Sequence, residues 1–393
     1  QLYNMADTII VGKCLGVTAL AAVGSTGSIN FMIIGFCQGV CSGFAIPVAQ
    51  KFGEKNERAL RRFVANSGWL AAVFSVVMTA VVCLLCWNIL VWMRTPEDII
   101  EGAYSYIFII FLGIPATYLY NLLSGVIRSL GDSTTPLLFL LLSSVLNVVL
   151  DFVTILYLDM GVAGPAWATV ISQAVSGVLC LIYMKKKFTI LKMQEDEWKP
   201  DASYMKILCG MGIPMGLQYS ITAIGSVILQ TAVNTLGSMA VAAVTAGSKI
   251  SMFFCCPFDA LGTTMATFGG QNVGAKRLDR VDEGLKSGTL IGCIYAVAAF
   301  VVLWFFGEQI ALVFVNTVRF MIQGLGYSKL AVLAGVSEMV ARSVVGFFLV
   351  PIYGYTAACF ASPVAWIAAD LFLIPAYRHV LKSLAVLFGQ REA

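Results

Sequence analysis

Apolar runs of roughly 20 or more residues, separated by short polar intervals, fill this chain from end to end. At about 1.5 Å per residue, each run crosses the roughly 30 Å of a bilayer's hydrocarbon core as a helix. The pattern predicts spans at 1–14, 18–48, 63–93, 102–127, 134–157, 162–184, 206–233, 239–268, 287–315, 328–350 and 355–382. Helices are implied rather than barrel strands. The fold class expected is an all-α polytopic membrane protein.

The pattern also repeats itself. Leu15-Gly16-Val17-Thr18-Ala19-Leu20-Ala21-Ala22-Val23 returns as Leu236-Gly237-Ser238-Met239-Ala240-Val241-Ala242-Ala243-Val244, and in the same register Gln50, Gly53 and Lys55 fall on Gln271, Gly274 and Lys276. A constant offset of 221 positions marks a duplication, which predicts two pseudo-symmetric lobes. The longest polar interval separates them. The expected organisation is an N-lobe over 1–190 with helices 1–6, a cytoplasmic linker over 191–205, and a C-lobe over 206–393 with helices 7–12.

The repeat breaks at two places. Leu130-Gly131-Asp132-Ser133 matches Leu325-Gly326-Tyr327-Ser328 at an offset of 195, so the second lobe is short by about one crossing, with the join near Asn316-Thr317. The piece that corresponds to Tyr104–Phe111, the tenth helix of a six-plus-six design, is expected to be missing, leaving about eleven helices. Gln1 aligns near Thr222, inside the seventh helix, so the first helix is expected to lack its cytoplasmic half. Losing one crossing would put Lys329 outside and invert every later helix, against the charge bias. A segment absent from the sequence is therefore expected.

Composition agrees with a membrane protein: 59% hydrophobic and 12% charged residues, with a mean hydropathy of +0.87, where soluble domains sit near half and a quarter. Basic residues gather after alternate spans, as Lys51, Lys55, Arg58, Arg61 and Arg62, then Lys185, Lys186, Lys187 and Lys192, then Lys276, Arg277, Arg280 and Lys286. The positive-inside rule makes these loops cytoplasmic, together with both chain ends. The net charge of +4 follows from that topology and implies no nucleic-acid partner. The partner expected instead is the bilayer of the cell (inner) membrane. Most of the 11 cysteines lie within apolar runs, as packing residues rather than a disulfide framework.

A charge within a span costs about 2.5–3.5 kcal/mol and needs a reason. The first lobe holds two, Asp7 and Asp151, and Asn147 lies four residues before Asp151 on the same helical face. Two carboxylates with an amide oxygen and a hydroxyl offer hard oxygen donors for a small hard cation, and a close pair of acids otherwise holds a proton. No other metal or cofactor is expected. The second lobe carries Lys249, Asp259, Glu338, Arg342 and Asp370, where opposite charges can cancel or meet a substrate. Glu338 and Arg342 have helical ion-pair spacing. No nucleophile–base pair, metal cluster or phosphate loop points to an enzyme.

Four stretches together resemble the multidrug and toxic compound extrusion (MATE) transporters: Leu2–Gly12, Val48–Gly53, Arg128–Asp132 and Met265–Ala275. The resemblance implies twelve helices in two six-helix bundles around a central cleft, in a monomer. The implied activity is alternating-access export of amphipathic, often cationic compounds, driven by inward Na⁺ or H⁺. Carried over by position, it makes Asp7, Asn147, Asp151 and Thr169 the cation site. The acid that some members carry on the seventh helix has no equivalent in Gly216-Leu217-Gln218-Tyr219-Ser220. Two rival readings are a lipid-linked oligosaccharide flippase of the same superfamily and a truncated remnant that does not transport.

Overall fold

The computed structural model describes residues 2–93, 95, 97–234, 238–303, 321–323 and 325–387, and among them every regular element is helical. The join expected near Asn316–Thr317 lies outside the described residues. Seven described helices are long and apolar enough to cross a membrane, or eight when one bent pair counts as a single span. The chain forms two compact units.

The first unit comprises Gln1–Cys41 and Glu57–Lys206. Its helices are α1 (Leu2–Cys14), α2 (Val17–Ser25), the first part of α3 (Gly27–Gly53), α4 (Glu57–Trp92), α5 (Ile100–Leu112), α6 (Ile114–Ser129), α7 (Thr134–Phe152) and α8 (Ala163–Lys187). A π-helical turn, Val153–Tyr157, continues α7. The span expected over 18–48 is two helices, because the Ser25 and Thr26 hydroxyls donate back to the Ala22 and Val23 carbonyls at 2.8 and 2.7 Å and end the first. The span expected over 102–127 bends by 44° between α5 and α6. Pro115 supplies no N–H to the preceding turn, and Gly113 lies where a Cβ would meet Val170 Cγ2 at 2.3 Å. Val76, Leu84, Val145 and Val149 are exposed on these helices, as lipid-facing positions require.

The interval 191–205, expected to link the lobes, is folded onto α4. Arg61 holds Glu197 with two parallel bonds, Nε to Oε2 at 2.7 Å and Nη2 to Oε1 at 2.9 Å. Trp69 Nε1 donates to the Trp198 carbonyl at 2.9 Å, and Asn66 Oδ1 accepts from the Asp201 amide at 2.8 Å. The Arg61 guanidinium holds the Glu197 carboxyl below the usual carboxylate range. Its stabilising effect is therefore complete above the ordinary glutamate pKa of about 4.3 and disappears as pH falls through the lowered value. Amide exchange over 189–201 should accelerate below about pH 4 in the native chain. In Glu197→Gln it should be fast throughout and nearly independent of pH once corrected for intrinsic chemistry.

The second unit comprises Ser42–Asn56 and Ile207–Ala393. Its helices are α9 (Ala202–Asn234), α10 (Ser238–Gly274), α11 (Leu278–Leu303), α12 (Ser328–Val344) and α13 (Tyr355–Leu387). A π-helical turn, Val345–Leu349, continues α12. Phe258, Val281, Met321, Ile322, Trp366 and Leu373 belong to its core.

The duplication reappears in the way helices end. Lys55 and Lys276 both have φ 58°. Asn56 N donates to Lys51 O at 3.1 Å and Arg277 N to Asn272 O at 2.9 Å, the same helix-terminating motif twice. Just before these caps, α3 and α10 cross with their backbones in contact. A Cβ on Gly53 would lie 1.9 Å from Gln271 O, and one on Gly274 would lie 1.8 Å from Gln50 O.

Candidate functional site

α7 is amphipathic in reverse. Leu137, Leu138, Leu141, Val145 and Val149 face outward, while Ser143, Asn147 and Asp151, spaced by four, are buried. That arrangement suits a helix with lipid on one side and a polar interior on the other. α1 lies against α7, and α8 covers α7 from another side. The three helices bring Asp7, Asn147, Asp151 and Thr169 together.

The Asn147 carboxamide is the bridge. In the orientation that satisfies both neighbours, its nitrogen donates to Asp7 Oδ1 at 2.8 Å and its oxygen accepts from Thr169 Oγ1 at 3.3 Å. Asp7 is 8% exposed and Asp151 fully buried. Both Asp151 carboxyl oxygens are buried and meet no hydrogen-bond donor. What Asp151 faces is the Asp7 carboxyl, within hydrogen-bonding reach. Two carboxylates have no proton to donate, so this contact becomes a bond only with a proton between them or a cation bridging them. Two facing carboxylates suit a small hard cation or a shared proton, and the Asn147 carboxamide, tied to Thr169, holds the Asp7 carboxyl in place for it. Among the described residues no group of three or more His, Cys, Asp or Glu is placed to hold a metal ion.

Local backbone shape supports the site. The Thr154 hydroxyl, in the π-helical turn, donates to Leu150 O at 2.9 Å, and α8 begins so close that a Cβ on Gly164 would lie 2.8 Å from that hydroxyl. This supporting contact has no signature in hydropathy. Its only trace in the sequence is the pair Gly161 and Gly164 ahead of Pro165.

In the second unit Glu338 and Arg342 are buried and paired, with Arg342 Nη2 3.7 Å from Glu338 Oε2. Asp259 on α10 is exposed, and Asp370 on α13 is half-buried. Lys249 belongs to α10, and its side chain lies outside the described residues. The Gly216–Ser220 stretch contributes Gln218, 4% exposed, which accepts a hydrogen bond from Gln323 Nε2. Neutral amides had not marked this position as polar machinery in the sequence.

A family model described as MatE matches residues 1–153 and 214–350, one stretch in each half of the chain. The probable multidrug resistance protein YoeA of Bacillus subtilis is 29% identical over 320 residues, covering 80% of this chain and 69% of that protein. The probable multidrug resistance protein NorM of Thermotoga maritima is 23% identical over 321 residues, covering 80% and 68%. An outward-facing multidrug resistance MATE family transporter of the MOP superfamily superposes with a TM-score of 0.90 at 21% identity, over 98% of this chain and 92% of that one. A MATE structure in the bent conformation gives 0.89 at 21% identity, over 99% and 93%. At this identity the superpositions establish a shared fold.

Proposed function

The chain belongs to the MatE family, and from that premise we propose that it exports amphipathic, often cationic compounds by antiport against Na⁺ or H⁺. It is a multi-pass membrane transporter and not an enzyme. The observation that carries the coupling is the buried Asp7–Asp151 pair, which is incomplete without a positive charge between its carboxyls. The names of the multidrug resistance relatives support the cargo class.

In the proposed cycle, a cation entering from outside binds Asp7, Asp151, Asn147 and Thr169, and α1 and α7 close on it. The first lobe repacks and the cargo, held better in the other arrangement, leaves. Cation and cargo act on one two-state equilibrium, so each weakens the other's binding by the same factor. The protein works as a monomer in the cell (inner) membrane, with both ends in the cytoplasm.

Ethidium transport into proteoliposomes tests the reading under an imposed Na⁺ gradient, an imposed H⁺ gradient, or neither. Accumulation with one gradient names the ion. Equal transport with neither gradient would overturn coupling, and no transport with either would overturn drug export.

A further inference from the structure

The second unit repeats the surroundings of the cation pair but not its contents. In each unit a helix with two buried polar residues four apart runs into a π-helical turn. Ser143 and Asn147 precede Val153–Tyr157, and Glu338 and Arg342, which stand at the offset of 195 from them, precede Val345–Leu349. The flanking turns match as well: Gly131 and Gly161 have φ 94° and 56°, and Gly326 and Gly354 have φ 97° and 59°. Left-handed glycines at both ends and a wide turn shortly before the second of them identify one duplicated structural unit.

The chemistry inside that unit has changed from two acids to a balanced acid–guanidinium pair. Arg342 points its Nη2 at Glu338 Oε2, 3.7 Å away, and its Nη1 donates to the Thr222 carbonyl of α9 at 3.4 Å. Both residues are at most 5% exposed. The guanidinium therefore lies between a carboxylate and a backbone carbonyl, the hard oxygen donors that a small cation would seek. Gly225 makes room for it, since a Cβ there would meet Met339 Cα at 3.3 Å and Arg342 Cδ at 3.6 Å.

We propose that Arg342 is a tethered cation that permanently fills the second unit's counterpart of the Asp7–Asp151 site, so that only the first unit responds to the transported ion. This rests on the cation-site reading of the first unit. A charge attached to the chain cannot leave during the cycle, so it does not bias one state over the other as a dissociating ion does. It also meets the need of Glu338 for a counter-charge, because a buried acid left alone is strongly unfavourable. The duplicated lobes thus differ in role through the charges they place at this point: two acids in the first, and an acid with its own tethered cation in the second.

The test removes the tether and asks whether a free cation takes its place. Thermal melting of the purified full chain is followed in NaCl against choline chloride at equal ionic strength, in an Asp7→Asn background that silences the first site. Asp7→Asn alone should lose the Na⁺ response. Asp7→Asn with Arg342→Ala should regain a saturable rise in Tm of about 2–5 °C, the size that occupancy of one site gives a protein of this length. Arg342→Lys in the same background, which keeps a tethered charge, should regain none, and neither should Glu338→Gln combined with Arg342→Ala. No Na⁺ response on removing Arg342, or a response that survives Glu338→Gln, overturns the proposal. If the alanine variant does not melt cooperatively, its yield as a monodisperse peak is compared in the two salts, and equal yields overturn it. A full Na⁺ response in Asp7→Asn alone counts against the first-unit site instead, and the Arg342 proposal is then judged by the further Glu338-dependent shift.

Discussion

Asp7→Asn abolishes uphill dye export while leaving a folded, inserted protein. The substitution keeps the shape of the side chain and keeps an acceptor for the Asn147 amide, which donates to Asp7 Oδ1 at 2.8 Å. What it removes is one of the two negative charges of the Asp7–Asp151 pair in a site closed to water. Losing one partner of a buried charge-paired site costs about 3–5 kcal/mol, or two to three orders of magnitude in cation affinity and more. At ordinary cation concentrations the site then stays empty, and no free energy passes from ion to cargo. Asp151→Asn should behave alike. The double variant should be no worse than either single one, because both remove the same all-or-none event. Asn147→Ala loses only a charge-assisted hydrogen bond of about 1.5–3 kcal/mol and should raise the cation concentration for half-maximal export about 10- to 100-fold. Ethidium efflux from cells with matched membrane levels of each variant measures this series. Unchanged efflux in Asp7→Asn would refute the site.

The residues of that site could be read from the sequence because charges in apolar helices stand out. Asp7 and Asp151 needed no structure to be singled out, and the four-residue step from Asn147 to Asp151 fixed their common face. The joining of Asp7 to Thr169 through one carboxamide is a tertiary fact, set by how α1 and α8 flank α7. Other features were hidden for a physical reason. A hydropathy run averages over several turns, whereas the break at Ser25–Thr26 depends on two hydroxyls bonding back to carbonyls. The bend at Gly113 depends on one proline and one close side chain. The interval 191–205 reads as a linker because it is polar, and polarity says nothing of what it packs on. Its folding onto α4 depends on Arg61 and Glu197 meeting across 136 positions of sequence. The repeat was legible as letters, and the structure gives those letters a cause. Lys55 and Lys276 stand at the same offset because each occupies the left-handed position that ends its helix.

That same repeat places the second large effect at Gly53 and Gly274. Alanine at Gly53 would set a methyl carbon 1.9 Å from Gln271 O, and alanine at Gly274 would set one 1.8 Å from Gln50 O. Both obstacles are backbone, so no side-chain rotation relieves them. Real Cβ contacts lie near 3.4–4 Å, and the helices would have to separate by well over 1 Å at their point of closest approach. Overpacking of a tight core costs about 1–3 kcal/mol even where side chains can yield, and here the cost should lie at or above the top of that range. Gly53→Ala and Gly274→Ala should each lower the Tm of the purified protein by about 4 °C or more. The lesions are two sides of one crossing, because Gln50 and Gly53 meet Gly274 and Gln271 reciprocally. Once either methyl has forced the helices apart, the second finds space already made. The double variant should therefore cost much less than the sum of the singles. Gly68 on α4, where a Cβ meets nothing within 4 Å, provides the control. Gly68→Ala should leave the Tm unchanged or raise it slightly, since alanine favours the helix by about 1 kcal/mol over glycine. Additive losses at Gly53 and Gly274 would mean that the two glycines act independently and that the close crossing does not govern stability.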